Sequence, residues 1–500
     1  MGICLRGDNM LKIEEIKAFI DNDAASMKKQ LAKTGLRYYE GDHDIKNYRI
    51  FYIDGNGQLQ EDKTKSNIKI SHPFFKLLVD QQAQYMLSGK DGFVKSDRPE
   101  LQAELDAYFN ENENFAAELY ELLCGAVAKG SEFMYAYKDE NGRTAFQCAD
   151  SIGVIEVRAK ETQDNCDYVI YWYVDRIGKD NKQIKRIQVW DDKQTYFFCQ
   201  EGDGNIVRDD SVEINPRPHI LYKKAGDDNT FYYEDYGMIP FFRLDNGKKQ
   251  TSGLKAIKPL LDDYDLMNAG LSNNIQDTNE ALYVVKGFQG DNLDELMLNI
   301  KAKKHIGVDE EGGVEIKTVD IPVDARRTKM EIDEKNIFRF GMGVNTEAMK
   351  DTSATTSIAI KSAYANLDMK CDGLQHFLNQ FMRKLLKVVL KEINDEQGTD
   401  YEQKDVYFTF DREIIPNASE NAQIALWEAQ EQQTRATTWL NMAAQFGTEI
   451  TMQQLCDVME LDYDDIKDKL PKQDEGVEVG AAQMALNGIV PEDVGGDVIE

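Results

Sequence analysis

Residues 360–388 read IKSAYANLDMKCDGLQHFLNQFMRKLLKV. Within them Ile360, Tyr364, Leu367, Cys371, Leu374, Leu378, Phe381, Leu385 and Val388 step by 4,3,4,3,4,3,4,3. Apolar residues at that spacing share one face of an α-helix. At about 1.5 Å per residue the seam runs about 42 Å. Such a stripe suits the core helix of a large domain, and equally a seam for neighbouring helices; the period alone does not separate the two.

On the N-terminal side, residues 342–357 (Met342-Gly343-Val344-Asn345-Thr346 through Thr356-Ser357) have no apolar period and are expected to form a loop, with Gly343 as a hinge near its base. A helix over Asp324–Phe340 precedes it. Residues 283–322 read as a small α/β insert, entered by a strand (Leu282–Val285), with a helix over Leu293–Ala302 and a hairpin around Glu311-Gly312-Gly313. Before the insert, Leu254, Ile257, Leu261, Tyr264, Asn268, Leu271 and Ile275 form another helical seam, in a helix expected to span about 33 residues and about 50 Å. After the quoted stretch come a strand, Asp405–Asp411, and a Gln/Ala-rich helical segment from Pro416 onward. That segment carries 17 Asp and Glu against 4 Lys and Arg, and its tail after about residue 472 is expected to be loose.

The first 250 residues have another texture. Helices are expected over 11–34, 73–88 (Ser71 as cap, Pro73 in the first turn) and 100–128. Asp54-Gly55-Asn56-Gly57 signals a hairpin. From 131 to 245, Glu132–Tyr137, Thr144–Cys148, Gly153–Val157, Tyr168–Val174, Ile184–Trp190, Gln194–Cys199 and His219–Tyr222 are short and aromatic or β-branched, the pattern of an antiparallel meander. The fold class is α+β, in several domains.

The 500 residues carry 59 Lys and Arg against 89 Asp and Glu, a formal charge of −30, with 42% apolar residues. That composition builds a core and excludes wholesale disorder. It also excludes coating nucleic acid by phosphate neutralisation, which needs clustered Lys and Arg. It does not exclude a protein that surrounds DNA without gripping it. Seven scattered cysteines with no CxxC spacing suggest neither a zinc site nor a disulfide framework. No apolar run reaches the ~18 residues of a membrane span.

A search for chemistry finds none. Ser88-Gly89-Lys90 and Gly247-Lys248 both lack the first glycine and the Ser or Thr of a P-loop. His43, His72, His219, His305 and His376 share no ligand spacing and read as surface or packing residues. Asp462-Tyr463-Asp464-Asp465 imitates half of a two-metal carboxylate site, so a metal-dependent phosphodiesterase or nuclease working through Asp clusters is the alternative function. Asp262, Asp263 and Asp265 read as an exposed stripe. No cofactor is expected.

Several stretches, in order, resemble the portal (head-to-tail connector) proteins of tailed bacteriophages, of the siphophage type. They are Arg37-Tyr38-Tyr39-Glu40-Gly41-Asp42-His43-Asp44-Ile45, Asn67 through Gln81 with Tyr85 to Lys90, Leu254 to Asp265, Val284-Val285-Lys286-Gly287, and Thr352-Ser353 with Ile358 to Lys361, Tyr364 and Leu367 to Lys370. The resemblance implies a wing over 1–249, a stem helix over 250–282, a clip over 283–322, a second stem helix over 323–341 and a tunnel loop over 342–357. It further implies a long supporting helix with a wing return strand over 358–415 and a helical acidic crown over 416–500.

It also implies a non-enzymatic homo-oligomeric ring of about twelve subunits at a capsid vertex of the virion, assembled in the host cytoplasm, with no membrane partner. Double-stranded DNA would pass through the ring, and terminase, a head-tail adaptor, capsid and scaffold proteins would be partners. The channel-facing candidates are Glu347, Lys350, Asp351, Thr352, Ser353, Thr355 and Thr356. Lys301, Lys303, Lys304 and His305 are expected at a clip partner contact. Arg326, Arg327 and Lys329 are expected to pair with Asp262, Asp263 or Asp265 of the same or the next subunit. A channel of like charge lets a duplex slide, because tight phosphate contacts would pin it.

Overall fold

The computed structural model describes residues 10–459 and Tyr463, apart from 64, 90–91, 159–165, 178–181, 224–230, 279–281, 289–307, 318–321, 347–356 and 413–417. It divides into two compact units, Met1–Ile415 and Pro416–Glu500.

In the first unit, the helix expected over 11–34 is two helices, α1 (Ile13–Ala25) and α2 (Met27–Tyr39). Ser26 stands between them in extended conformation, and its side chain accepts a hydrogen bond from the Lys29 amide, so it opens α2 as its cap. The hairpin follows as β1 (Phe51–Ile53) and β2 (Leu59–Glu61). Then come α3 (Phe74–Met86) and the short strand β3 (Val94–Lys95). The expected helix 100–128 is also broken. α4 (Pro99–Leu105) runs into one π-helical turn over Asp106–Asn110, and α5 (Glu113–Lys129) starts afresh at Asn112, whose side chain caps Phe115.

The strands are β4 (Ser131–Lys138), β5 (Thr144–Ala149), β6 (Val154–Val157), β7 (Tyr168–Ile177), β8 (Lys182–Trp190), β9 (Gln194–Glu201), β10 (Val207–Arg208), β11 (Arg217–Pro218), β12 (Ile220–Lys223), β13 (Phe231–Glu234) and β14 (Phe241–Asp245). They do not form one meander. β10-β9-β8-β7-β6 is one antiparallel sheet, with β11 also on β9, while β14-β4-β5 is a second and β12-β13 a separate pair. α1 covers the first sheet, packing Ile16 and Ile20 on Ile170, Ile187, Val189 and Phe198.

α6 (Lys258–Thr278) is shorter than expected, 21 residues or about 31 Å. Leu254 belongs to a preceding 3-10 turn, Gly253–Ala256, capped by Ser252. The insert shows β15 (Leu282–Phe288) paired with β16 (Val308–Lys317). Gly312 and Gly313 lie inside β16, where Gly313 faces Lys286; beyond it the register shifts and Phe288 faces Val308, so the expected hairpin at Glu311-Gly312-Gly313 is instead an irregularity within one strand. α7 (Val323–Gly341) returns beside α6.

α8 (Ser357–Gln397) spans 41 residues, about 61 Å. Its seam is intramolecular: Leu367, Cys371, Leu374, Leu378, Phe381 and Leu385 are buried in the main core with residues of α3, α5 and β14. Met382, Leu386 and Val389 are buried as well, so the helix is embedded on more than one face. The expected strand 405–411 shrinks to β17 (Tyr407–Phe408), which pairs with β3. The second unit contains α9 (Ala418–Phe446) and α10 (Thr448–Val458).

Candidate functional site

The polar face of α6 is where three separate parts of the chain meet. Leu261, Asp265 and Ala269, four apart, are its buried rail, in line with buried Ile257 just before it. Asp265 therefore sits where a leucine would be expected, and only 1% of its surface is exposed. Its Oδ2 lies 2.6 Å from His43 Nδ1. Its Oδ1 lies 2.7 Å from His72 Nδ1 and accepts the His72 amide at 2.9 Å. Burial alone would raise the Asp265 carboxyl, but these hydrogen bonds and the charge of His43 hold it below the usual carboxylate range.

His43 is fully buried and stacks on Tyr38, and its Nε2 lies 3.3 Å from the Tyr38 carbonyl. The Tyr38 hydroxyl donates to Asp262 and accepts from the Asp44 amide. Lys258 bridges Asp44 at 2.6 Å and Asp262 at 2.7 Å. Further along, Asn273 Oδ1 accepts the Ile68 amide at 2.6 Å and Asp277 Oδ1 the Ser66 amide at 3.1 Å. The stretches 37–45, 66–72 and 254–277 are thus one joint, tying the N-terminal helices to α6.

This corrects the reading of Asp265 as part of an exposed stripe; His43, read as a surface or packing residue, is packed on Tyr38. Asp262 and Asp263 are more than a third exposed, as a surface stripe requires. The misplaced signal was legible: Asp265 is four residues from Leu261 on the apolar face. Of the basic residues on α7, Lys329 pairs with Asp263 and Asp333 of its own chain. Among the described residues Arg326 forms no ion pair with an aspartate. It lies over Gly270, where a Cβ would come within 2.3 Å of Nη1, and contacts the Met267 carbonyl at 3.4 Å. Arg327 is exposed on the helix.

The loop after α7 is held at its root. Met342 adopts φ +55°, and the Gly343 amide returns to the Phe338 carbonyl at 3.0 Å, closing the helix end. Gln81 brackets Val344, donating to its carbonyl at 3.0 Å and accepting its amide at 2.9 Å. Lys370 of α8 donates to the Gly341 carbonyl at 2.9 Å. The Lys370 stem keeps some solvent contact, but desolvation of the ammonium pushes its pKa down to about 8.

Gly343 is not the expected hinge. A Cβ there would lie 2.2 Å from Leu78 Cδ2, so glycine serves close packing. On the far side of α8, Tyr85 donates to Asp368 at 2.9 Å, and Arg412 reaches Asp368 and Asp372.

The channel candidates Glu347, Lys350, Asp351, Thr352, Ser353, Thr355 and Thr356 lie outside the described residues, as do Lys301, Lys303, Lys304 and His305, and all but Tyr463 of the acidic run 462–465. Among the described residues, no group of three or more His, Cys, Asp and Glu is placed to hold a metal ion. No described helix is long and apolar enough to cross a membrane.

Residues 19–446 match the family described as phage portal protein, SPP1 Gp6-like, and the chain belongs to that family of structural virion proteins. It is similar to the portal protein of Bacillus phage SPP1, 26% identical over 426 residues that cover 83% of this chain and 82% of that protein. It is also similar to the portal protein of Clostridium phage phiCD119, 25% identical over 436 residues covering 83% and 89%. Family and relatives alike bear out the resemblance and lend nothing to the nuclease alternative.

Proposed function

We propose that this chain is one subunit of a ring of about twelve at a capsid vertex, through which double-stranded DNA is packaged and later ejected. In this reading α6 and α7 are the stem and 283–322 the clip that meets terminase and then the head-tail adaptor. Residues 342–357 are the channel loop, and 416–500 the crown on the capsid's inner side. Energy for translocation comes from the separate terminase, while this protein supplies the conduit.

The observation that supports it best is the pairing of a tightly bonded joint with exposed apolar residues on both stem helices. α6 is locked to the N-terminal helices through Asp265, yet Ile275, Val323, Ile332 and Phe340 of the α6–α7 pair are exposed, Ile332 by 51% and Phe340 by 54%. Exposed apolar residues on both helices of a pair suit side-by-side packing in a closed ring.

Electron microscopy and mass measurement of the purified protein test this. The expected result is rings of several hundred kilodaltons with a central hole wide enough for a duplex. A small monomer that cleaves DNA with magnesium overturns it. Deleting Glu347–Thr355 is expected to leave ring assembly intact and to weaken DNA retention; rings that fail to form would make the loop structural.

A further inference from the structure

A cleft of about 800 Å³ lies where β6 and β7 of one sheet, β14 of the other and α8 come together. That volume is in the range of pockets that hold ligands. Its floor is apolar: Val169 of β7, Phe241 of β14, and Met238 and Ile239 just before β14. Met238, Ile239 and Phe241 are only part-buried, so the chain's own packing covers them incompletely. One wall is braced from within. Arg158 pairs with Glu156 at 2.9 Å, and Arg243 pairs with Glu156 and, at 2.8 Å, with Asp245. Those two arginines are neutralised inside the chain, and they fix the wall.

The α8 side is different. Lys384 and Lys387 line the cleft from that helix, three residues apart and exposed. Among the described residues neither has an ion-pair partner, and Asp192, the lining's other carboxylate, in the turn between β8 and β9, pairs with neither of them. Lysine stems lie along apolar surface while their ammonium groups stay in water, so the cleft offers two unneutralised cations beside an apolar floor. Repulsion from the rest of a chain of −30 is screened beyond about 8 Å at physiological salt, so these local charges decide what docks. A DNA duplex would meet the lysines and offer the floor no apolar side chain. A purely apolar segment would cover the floor and leave the lysines unpaired. A segment that carries both carboxylates and a bulky apolar residue satisfies each.

We infer that this cleft is the docking site for an acidic segment of a partner protein, which seats an apolar side chain on Val169, Ile239 and Phe241 and sets its carboxylates against Lys384 and Lys387. The inference does not need the ring: it gives the subunit itself a protein-binding site, distinct in chemistry from a conduit for DNA.

The test titrates the full chain into a fluorescein-labelled peptide, Glu-Asp-Leu-Phe-Glu-Asp, and follows fluorescence anisotropy. Saturable binding is expected. Lys384→Glu combined with Lys387→Glu, both on the exposed side of α8 where the fold does not depend on them, is expected to weaken it at least tenfold, and the corresponding pair of changes to Arg to keep it. A peptide with Gly in place of Leu and Phe is expected to bind at least tenfold more weakly, because the floor then goes uncovered. Equal binding of that glycine peptide, or equal displacement by a short DNA duplex, would reduce the site to a patch of charge and overturn the inference. So would binding that the two Glu changes leave untouched, or no saturation up to about 1 mM peptide. Binding that emerges only after residues 159–165, which join Arg158 to Cys166, are replaced by Gly and Ser would name the chain's own segment as the occupant and overturn it too. Each of these outcomes leaves the portal reading standing, since ring formation is measured separately.

Discussion

Asp265 is the residue on which the joint turns. Its two oxygens, themselves out of water, are shared between buried His43, partly exposed His72 and the His72 backbone amide. Asp265→Asn removes an acceptor oxygen from buried hydrogen-bond donors, so it is expected to cost about 1–3 kcal/mol in urea unfolding at pH 7. The folded carboxyl titrates below its unfolded value. Its contribution is therefore present above an unfolded value of about 4 and is lost as pH falls through the lower folded value. Wild type and Asp265→Asn should converge in stability in strong acid; a constant gap would show that packing, and not charge, holds the joint.

Lys370 acts with the same sign at the other end of the pH range, through a charge that burial disfavours. Folded, it loses its proton near pH 8, whereas the unfolded lysine keeps it to about pH 10.5. Between those values the unfolded chain binds more protons, so stability rises with pH, by at most about 3 kcal/mol. Lys370→Met is expected to flatten that rise, as chemical unfolding at pH 7, 8.5 and 10 would reveal.

At the scale of elements, the root of the loop is a packed lock of α7, α3 and α8. Gly343→Ala is expected to cost about 1–3 kcal/mol, because the new methyl meets Leu78 within the core. The clash is local, so Leu78→Ala with Gly343→Ala should cost less than the sum of the two single changes. Additive costs would mean that the backbone, not Leu78, is the obstacle.

Elements also show how far the sequence was readable. The long seam of α8, the strands from 131 to 199 and the hairpin at Asp54–Gly57 were legible because each is a local pattern with its own period or turn chemistry. The breaks at Ser26 and Asn112 were not, because apolar periodicity runs on through a cap and only the capping geometry stops the helix. The division of the meander into two sheets was hidden too, since which strands pair is settled by distant partners such as β14 on β4.

At the scale of the whole molecule, the charge is the dominant physical fact. Twelve copies would carry a formal charge of about −360, and like charges oppose closure of the ring. Ring assembly is therefore expected to strengthen as salt rises from about 10 mM to about 150 mM, where the screening length falls to about 8 Å. Mass measurements across that range would check it; assembly that weakens with salt would mean that attractive ion pairs close the ring.

The sequence by itself determined the α+β class, the order of long helices around a small insert, the absence of a P-loop motif and the family. All of these are written in local composition and spacing. Only the tertiary structure decided that the seam of α8 is satisfied inside its own chain, that Gly343 is a packing residue, and that Asp265 is buried between His43 and His72. Those residues are separated by up to 222 positions, and no period links a histidine in one segment to a carboxylate in another. Their meeting depends on how helices cross, which is set by the shape of the whole core.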